Sequence, residues 1–220
     1  MTISSSPSGA SGDVTLDSYA AAAYVYLEQS VPPGPAVMAY LDAVAGLVGD
    51  GTVLELGSGP GWDACYLENR GPRVLRTDGA PAFVQMLQAA GHQAQLLDVG
   101  VDDFGGPYDA VLADAVLLHV SREQFVDVLQ RARQAVTSGG VLAITLKEGD
   151  GEAWTDAKLG RPRHFTYWRE PAVGRTDRHR LASPLAAACR RARRAQAVRH
   201  SPDRTGAEQD SPASHLSIGH

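Results

Sequence analysis

The chain has 220 residues, of which 44% are hydrophobic and 20% charged, enough to build one α/β domain with a full core. No apolar run approaches the roughly 18 residues of a membrane span, and the Ser/Gly/Pro-rich stretch from Met1 to Gly12 lacks the basic region and apolar centre of a signal peptide. Residues 1–173 carry 11 Lys and Arg against 21 Asp and Glu, whereas residues 174–220 carry 9 against 4; an acidic body disfavours a nucleic-acid partner and suits a cationic ligand.

Residues 1–16 read as a disordered lead-in. Asp17 to Gln29 reads as a helix carrying Tyr19, Tyr24 and Tyr26, with Asp17 as its N-cap. The run Pro32-Pro33-Gly34-Pro35 breaks the chain. A second helix follows over Pro35–Val48, with Val37, Tyr40, Leu41, Val44, Leu47 and Val48 on one face. Cys65 and Cys189 lie far apart without metal-ligand spacing, so no metal site is expected, and a cytoplasmic protein follows by default.

Val53 to Leu56 is a short apolar run of the kind that forms a buried parallel strand. It ends in Gly57-x-Gly59-x-Gly61, and Trp62 to Asn69 has helical character. Strand, glycine turn and helix make the first half of a βαβ unit, where a nucleotide-like ligand meets backbone amides. The third glycine comes one residue too early for a dinucleotide fingerprint, Trp62 stands where that pattern wants Gly or Ala, and no Gly-Lys-Ser/Thr ending marks a phosphate-binding loop. A structural glycine turn in another α/β protein is the bland alternative. Arg73 to Thr77 reads as the second strand, with Asp78 at its C-terminal end. An acidic residue at that distance from the glycines suits the hydroxyl pair of a ribose; alternatively it is a helix cap.

Pro81–Ala90 reads as a helix with Phe83, Val84 and Leu87 inward. Gln93–Leu97 follows as a strand, with Asp98 in the turn after it. Tyr108–Ala113 is the fourth strand and leads into Asp114-Ala115-Val116-Leu117-Leu118-His119-Val120. His119 lies past the end of a sheet strand, where ligand sites form. It is a candidate general base, or else it orients the loop and walls the pocket. Ser121, with Gln124 three residues on, begins a helix that runs to about Val136. Ser138-Gly139-Gly140 turns into a fifth strand over Val141–Leu146. The polar stretch 147–152 and then Arg161–Trp168 read as a loop overhanging the site. Arg163, His164 and Tyr167 are its candidate substrate contacts, or ordinary loop packing.

Glu55-x-Gly57-x-Gly59-x-Gly61, Asp78, Asp98 and the segment around Leu118-His119 together resemble the class I S-adenosylmethionine-dependent methyltransferases. The resemblance is to the small-molecule group typified by ubiquinone-biosynthesis enzymes. It covers residues 17–171, within a domain expected over 17–173, and implies a doubly wound, Rossmann-like α/β sheet with N-terminal lid helices. It also implies S-adenosylmethionine as cofactor, a small-molecule acceptor, no membrane and a monomer or dimer. Carried residue by residue, it assigns the cofactor to Tyr24, Glu55, Gly57, Ser58, Gly59, Gly61, Asp63, Asp78, Gly79, Asp98, Val99, Ala113 and Asp114. Tyr24 is the lid aromatic, Asp63 helps with the ammonium, and Asp98 with the Val99 amide meets adenine. Transfer is expected to be an in-line displacement, in which alignment does most of the catalysis. The alternatives are a nicotinamide-dependent oxidoreductase on a similar sheet and a cofactor-binding protein without activity.

The resemblance stops after Pro171. The family's antiparallel strands 6 and 7 are not recognisable in residues 174–220, which are rich in Arg, Ala, Ser and Pro and read as a disordered basic tail. The competing reading, a C-terminus replaced by a reading-frame shift near residue 173, is the one favoured, because a five-stranded sheet leaves strand 5 as an open edge.

Overall fold

The structure, a computed structural model, describes residues 11–169 and 214–219, with the backbone alone for residues 11, 12 and 214–219. The chain runs α1 (Ser11–Ala21), α2 (Ala23–Gln29), α3 (Pro35–Val48), β1 (Thr52–Glu55), α4 (Trp62–Glu68), β2 (Arg73–Asp78), α5 (Pro81–Ala89), β3 (Ala94–Leu96), β4 (Tyr108–Ala113), a 3-10 turn at Leu117–His119, α6 (Arg122–Ala135), β5 (Val136–Glu148), β6 (Glu152–Thr155), β7 (Arg163–Trp168) and β8 (Ser214–Gly219).

The sheet order is β3-β2-β1-β4-β5-β7-β6, with β8 also paired to β5. Strands β1 to β5 are parallel, with Leu54 opposite Leu75 of β2 and Val111 of β4. These strands are short apolar runs because both faces are covered: Val53, Leu54, Ala110, Val111 and Leu112 have no exposure. One face packs on α6 through Phe125, Val128, Leu129 and Ala132, and the other on α3 and α4 through Tyr40, Leu41, Val44, Ala64 and Leu67. Local chemistry sets these helix ends. Pro35 occupies the first turn of α3, where its missing N–H costs nothing. The Ser121 hydroxyl accepts the Gln124 N–H and donates to the Gln124 Oε1 at the start of α6.

Four expectations are corrected. The first helix begins at Ser11, ahead of Asp17, and is interrupted at Ala22, whose φ and ψ of −116° and 18° are not helical. Residues 1–10 of the expected lead-in lie outside the described residues. The Ser138-Gly139-Gly140 turn is absorbed into β5 as an irregularity, since Val136 pairs with Tyr108 and Val141 with Ala110; Gly139 takes φ +82° there. The presumed overhanging loop is a hairpin. β6 pairs antiparallel with β7, and β7 meets β5 at Lys147 and Glu148. The alternating run His164-Phe165-Thr166-Tyr167-Trp168 has the β propensity for this, and Phe165 and Trp168 supply its buried apolar surface. Finally, Ser214–Gly219 forms a strand within the segment expected to have none. It runs antiparallel along Val141–Leu146 of β5, covering the edge that would otherwise be open. Whether residues 170–213 follow the tail reading lies outside the described residues.

Candidate functional site

A cavity of about 310 Å³ opens at the C-terminal ends of β1, β2, β3 and β4, where ligands of open α/β sheets bind. Its floor is the glycine turn. Gly57 and Gly59 both line it with positive φ, +65° and +50°. A Cβ on Gly57 would stand 2.3 Å from Val116 Cγ2, so only glycine lets the β4 loop close over the turn. Gly61, at φ +84°, leads into α4; a side chain there would meet Leu87 Cδ2 at 2.7 Å. Gly61 is a packing glycine outside the cavity wall.

Asp78 ends β2 and pins the turn. Its Oδ2 accepts the Gly59 N–H at 2.8 Å and its Oδ1 accepts the Ala80 N–H at 2.8 Å. A carboxylate has about four lone-pair sites, so capacity remains toward the cavity that Asp78 and Gly79 line. Gly79 is itself confined, because a Cβ there would reach Leu16 Cδ2 of α1 at 2.7 Å. Asp98 and Val99 line the wall after β3, and Asp98 Oδ1 holds the Gly100 N–H at 2.7 Å. Asp114 lines it after β4, accepting from the Thr145 hydroxyl at 2.5 Å.

Glu55, Ser58, Asp63 and Ala113 stand behind this wall. Glu55 is buried and accepts from the Ser58 hydroxyl. Burial pushes its pKa up to about 7, against the lowering effect of Ser58 and Arg76. Asp63 is also pushed up, first by burial and then by the neighbouring Asp114 and Glu55 charges. Ala113 is fully buried in β4. The turn is therefore backed by crowded carboxylates whose pKa values are raised by burial and by one another's charge.

The structure does not bring Tyr24, the expected lid aromatic, to the cavity. Tyr24 is 73% exposed and outside the cavity, whereas Tyr19 and Tyr26 line it. Residues seven apart share a helical face and a residue five on does not; the rings of 19 and 26 meet edge-on at 5.6 Å, against Phe83 of α5. α1 is held down by Ser18, whose hydroxyl donates to the Pro162 carbonyl at 2.6 Å, and by Thr15, which accepts the His164 N–H at 3.0 Å.

His119 lines the cavity beside Tyr19. Its Nδ1 lies 2.6 Å from the His164 carbonyl and its Nε2 lies 2.9 Å from the Tyr19 hydroxyl. Burial pushes its pKa down to about 3; the His164 carbonyl opposes this, while Arg163, Lys147 and the His164 ring reinforce it. The ring is neutral across the physiological range.

The expected substrate contacts Arg163, His164 and Tyr167 are absent from the described wall, a correction that follows from their place in β7. Arg163 is buried and donates to the Tyr19 Oη at 3.1 Å and the Ala157 carbonyl at 2.5 Å. The buried His164 ring faces Glu152 Oε2 at 3.2 Å. The Tyr167 carbonyl accepts from Arg122. Wall residues that the sequence reading missed include Asp13 and Leu16 of α1, Val116 and Gln124. The i, i+7 spacing of Tyr19 and Tyr26 was the available signal for the lid. Among the described residues no His, Cys, Asp and Glu cluster has a metal-holding arrangement.

Residues 54–144 match a protein family described as "Methyltransferase domain". No curated protein sequence matches the chain. Among solved structures, one titled "DhpI-SAM-HEP complex" aligns at TM-score 0.59 and 22% identity, over 77% of this chain and 88% of that one. The CcbJ methyltransferase from Streptomyces caelestis aligns at 0.57 and 20%, over 70% and 82%. The Burkholderia thailandensis 1,6-didemethyltoxoflavin-N1-methyltransferase, titled with bound 1,6-didemethyltoxoflavin and S-adenosylhomocysteine, aligns at 0.58 and 20%, over 80% of each chain. At these identities the likeness establishes a shared fold, and the family match lies on the strands that frame the cavity. Residues 54–144, which frame the cavity, therefore match a methyltransferase domain, and the described chain has its Rossmann-like fold.

Proposed function

We propose that this domain methylates a small-molecule acceptor in the cavity closed by α1. The observation that carries this reading is the wall itself: an enclosed, mostly apolar space of about 310 Å³ whose charged groups are the carboxylates Asp13, Asp78, Asp98 and Asp114. That is the size and polarity of a small-molecule site, and the negative charge favours a cationic cofactor. The residues present fit S-adenosylmethionine. Gly57 and Gly59 put side-chain-free backbone on the cavity wall, Asp78 keeps acceptor capacity for a hydroxyl pair, and Asp98 with the Val99 amide stands ready for a heterocycle. The cofactor supplies a methyl group already activated on a sulfonium. The protein's share is to hold the acceptor in line and exclude water. Glu55, Ser58, Asp63 and Ala113 serve this site by supporting the turn, and Tyr19 and Tyr26 by closing it.

No helix among the described residues is long and apolar enough to cross a membrane. We place the enzyme in the cytoplasm as a monomer or dimer. The acidic body and the paucity of cysteine support the cytoplasmic placement. Incubating the protein with methyl-tritiated S-adenosylmethionine and a cell extract tests the acceptor class. Label in the small-molecule fraction is expected, and label confined to protein or nucleic acid would contradict the reading.

A further inference from the structure

Resting on that reading, we propose that the acceptor is an uncharged hydroxyl compound, and that its proton leaves through Tyr19 to His119. The directions of four hydrogen bonds carry this. The His164 carbonyl, 2.6 Å from His119 Nδ1, can only accept, so Nδ1 bears the hydrogen and Nε2 of the neutral ring is an acceptor. The Tyr19 hydroxyl, 2.9 Å from Nε2, therefore donates to it. Arg163, which can only donate, gives a hydrogen to Tyr19 Oη at 3.1 Å. The chain thus runs one way, from Arg163 to Tyr19 to His119 to the His164 carbonyl. It places on the cavity wall a phenol oxygen whose own hydrogen already points at a base.

The step balances within these groups. The acceptor oxygen forms its bond to the methyl carbon as the methyl–sulfur bond breaks and its electron pair stays on sulfur. The acceptor's proton passes to Tyr19 Oη while the Tyr19 proton passes to His119 Nε2. The Arg163 charge steadies the phenol oxygen during the exchange. The groups facing His119 are Tyr19, Arg163, Lys147 and His164, and its ring also packs on Phe165 at 4.6 Å. Burial first, and then the Arg163 and Lys147 charges, make His119 a weak base. The relay serves an acceptor that must lose a proton as it is methylated. A hydroxyl oxygen gaining a methyl becomes a strongly acidic oxonium, which gives up its proton even to a weak base. An amine nitrogen attacks with its free electron pair and has no need of such a relay.

The wall sets the charge. Its described residues include Asp13, Asp78, Asp98 and Asp114 and no Lys or Arg. Even with a cationic cofactor in place it stays acidic, so carboxylate or phosphate acceptors are repelled. Arg163 does not relieve this, being buried behind Tyr19 and committed to the Ala157 carbonyl.

The test has two readouts. Nitrogen-15 NMR of the cofactor-free protein reports the His119 tautomer: a protonated Nδ1 with a hydrogen-bonded Nε2 that shifts in Tyr19→Phe is expected, and a protonated Nε2 overturns the proposal. Second, transfer from labelled S-adenosylmethionine is measured to 4-methylphenol, 4-methylaniline and 4-methylbenzoate, with cofactor affinity measured by calorimetry. The phenol is the expected acceptor, and Tyr19→Phe or His119→Asn should each cut its kcat about 100-fold with little change in cofactor affinity. On 4-nitrophenol, ionised beforehand, the wild type is slow and the variants should lose far less. Preference for the amine or carboxylate, equal losses on both phenols, or cofactor binding with transfer to none of these probes overturns the proposal while leaving the cofactor reading intact. Absence of cofactor binding overturns both.

Discussion

Gly57 shows how one residue decides whether the site exists. Its φ of +65° and the 2.3 Å that would separate a Cβ from Val116 Cγ2 leave no room for a side chain. Gly57→Ala should cost about 1–3 kcal/mol from the backbone alone and weaken cofactor affinity more than tenfold, read by thermal unfolding and calorimetry. Glu55 makes a pH prediction. Its pKa is raised in the folded state to about 7, above an unfolded value of about 4.3, so between those pH values the folded form holds the extra proton. Stability of the cofactor-free protein therefore falls as pH rises through that window. Glu55→Gln should flatten the fall in Tm from about pH 5 to pH 7, and an unchanged slope would contradict the assignment. Legibility at this scale followed chemistry. Gly57, Gly59, Asp78 and Asp98 stand on the cavity wall, positions the sequence marks because turn geometry and strand ends restrict the residue type there. Tyr24 lies outside the wall because it is five residues on from Tyr19, whereas Tyr26, seven on, keeps to the same face across the one-residue break at Ala22.

At the scale of elements, α1 is the piece that covers the cavity, and polar bonds tie it down. Ser18 to the Pro162 carbonyl and the His164 amide to Thr15 tie it to the hairpin, and Leu16 covers Gly79. Ser18→Ala should lower stability by about 1 kcal/mol and raise the rate at which a protease cleaves near the N-terminus, with the sheet unaffected. An unchanged cleavage rate would show that α1 is held by other contacts. The parallel strands and α6 could be read from sequence because their apolar periods and the Ser121 cap are local signals. The β6–β7 hairpin could not, since Arg163 and His164 look like exposed loop residues. Only the contacts with Tyr19, Ala157 and Glu152 explain how such polar residues are buried.

For the whole molecule, β8 completes the sheet. It lies antiparallel along Val141–Leu146, so a chain ending after Arg169 should expose that edge and associate. Sedimentation of the shortened protein should show oligomers or aggregates that the full chain lacks; a shortened chain that stays as dispersed as the full one would contradict this role. No pattern in residues 174–220 announced this strand, because its six residues find their partner far away in sequence and carry little β propensity of their own. The central claim for the molecule is that the glycine turn and its carboxylates form a site for S-adenosylmethionine. Calorimetric titration of the full chain with S-adenosylmethionine, with NAD in parallel and Asp78→Asn as control, tests it most directly. The account predicts binding of S-adenosylmethionine alone, weakened at least tenfold in the variant. Binding of NAD, or of neither by a folded sample, would contradict it.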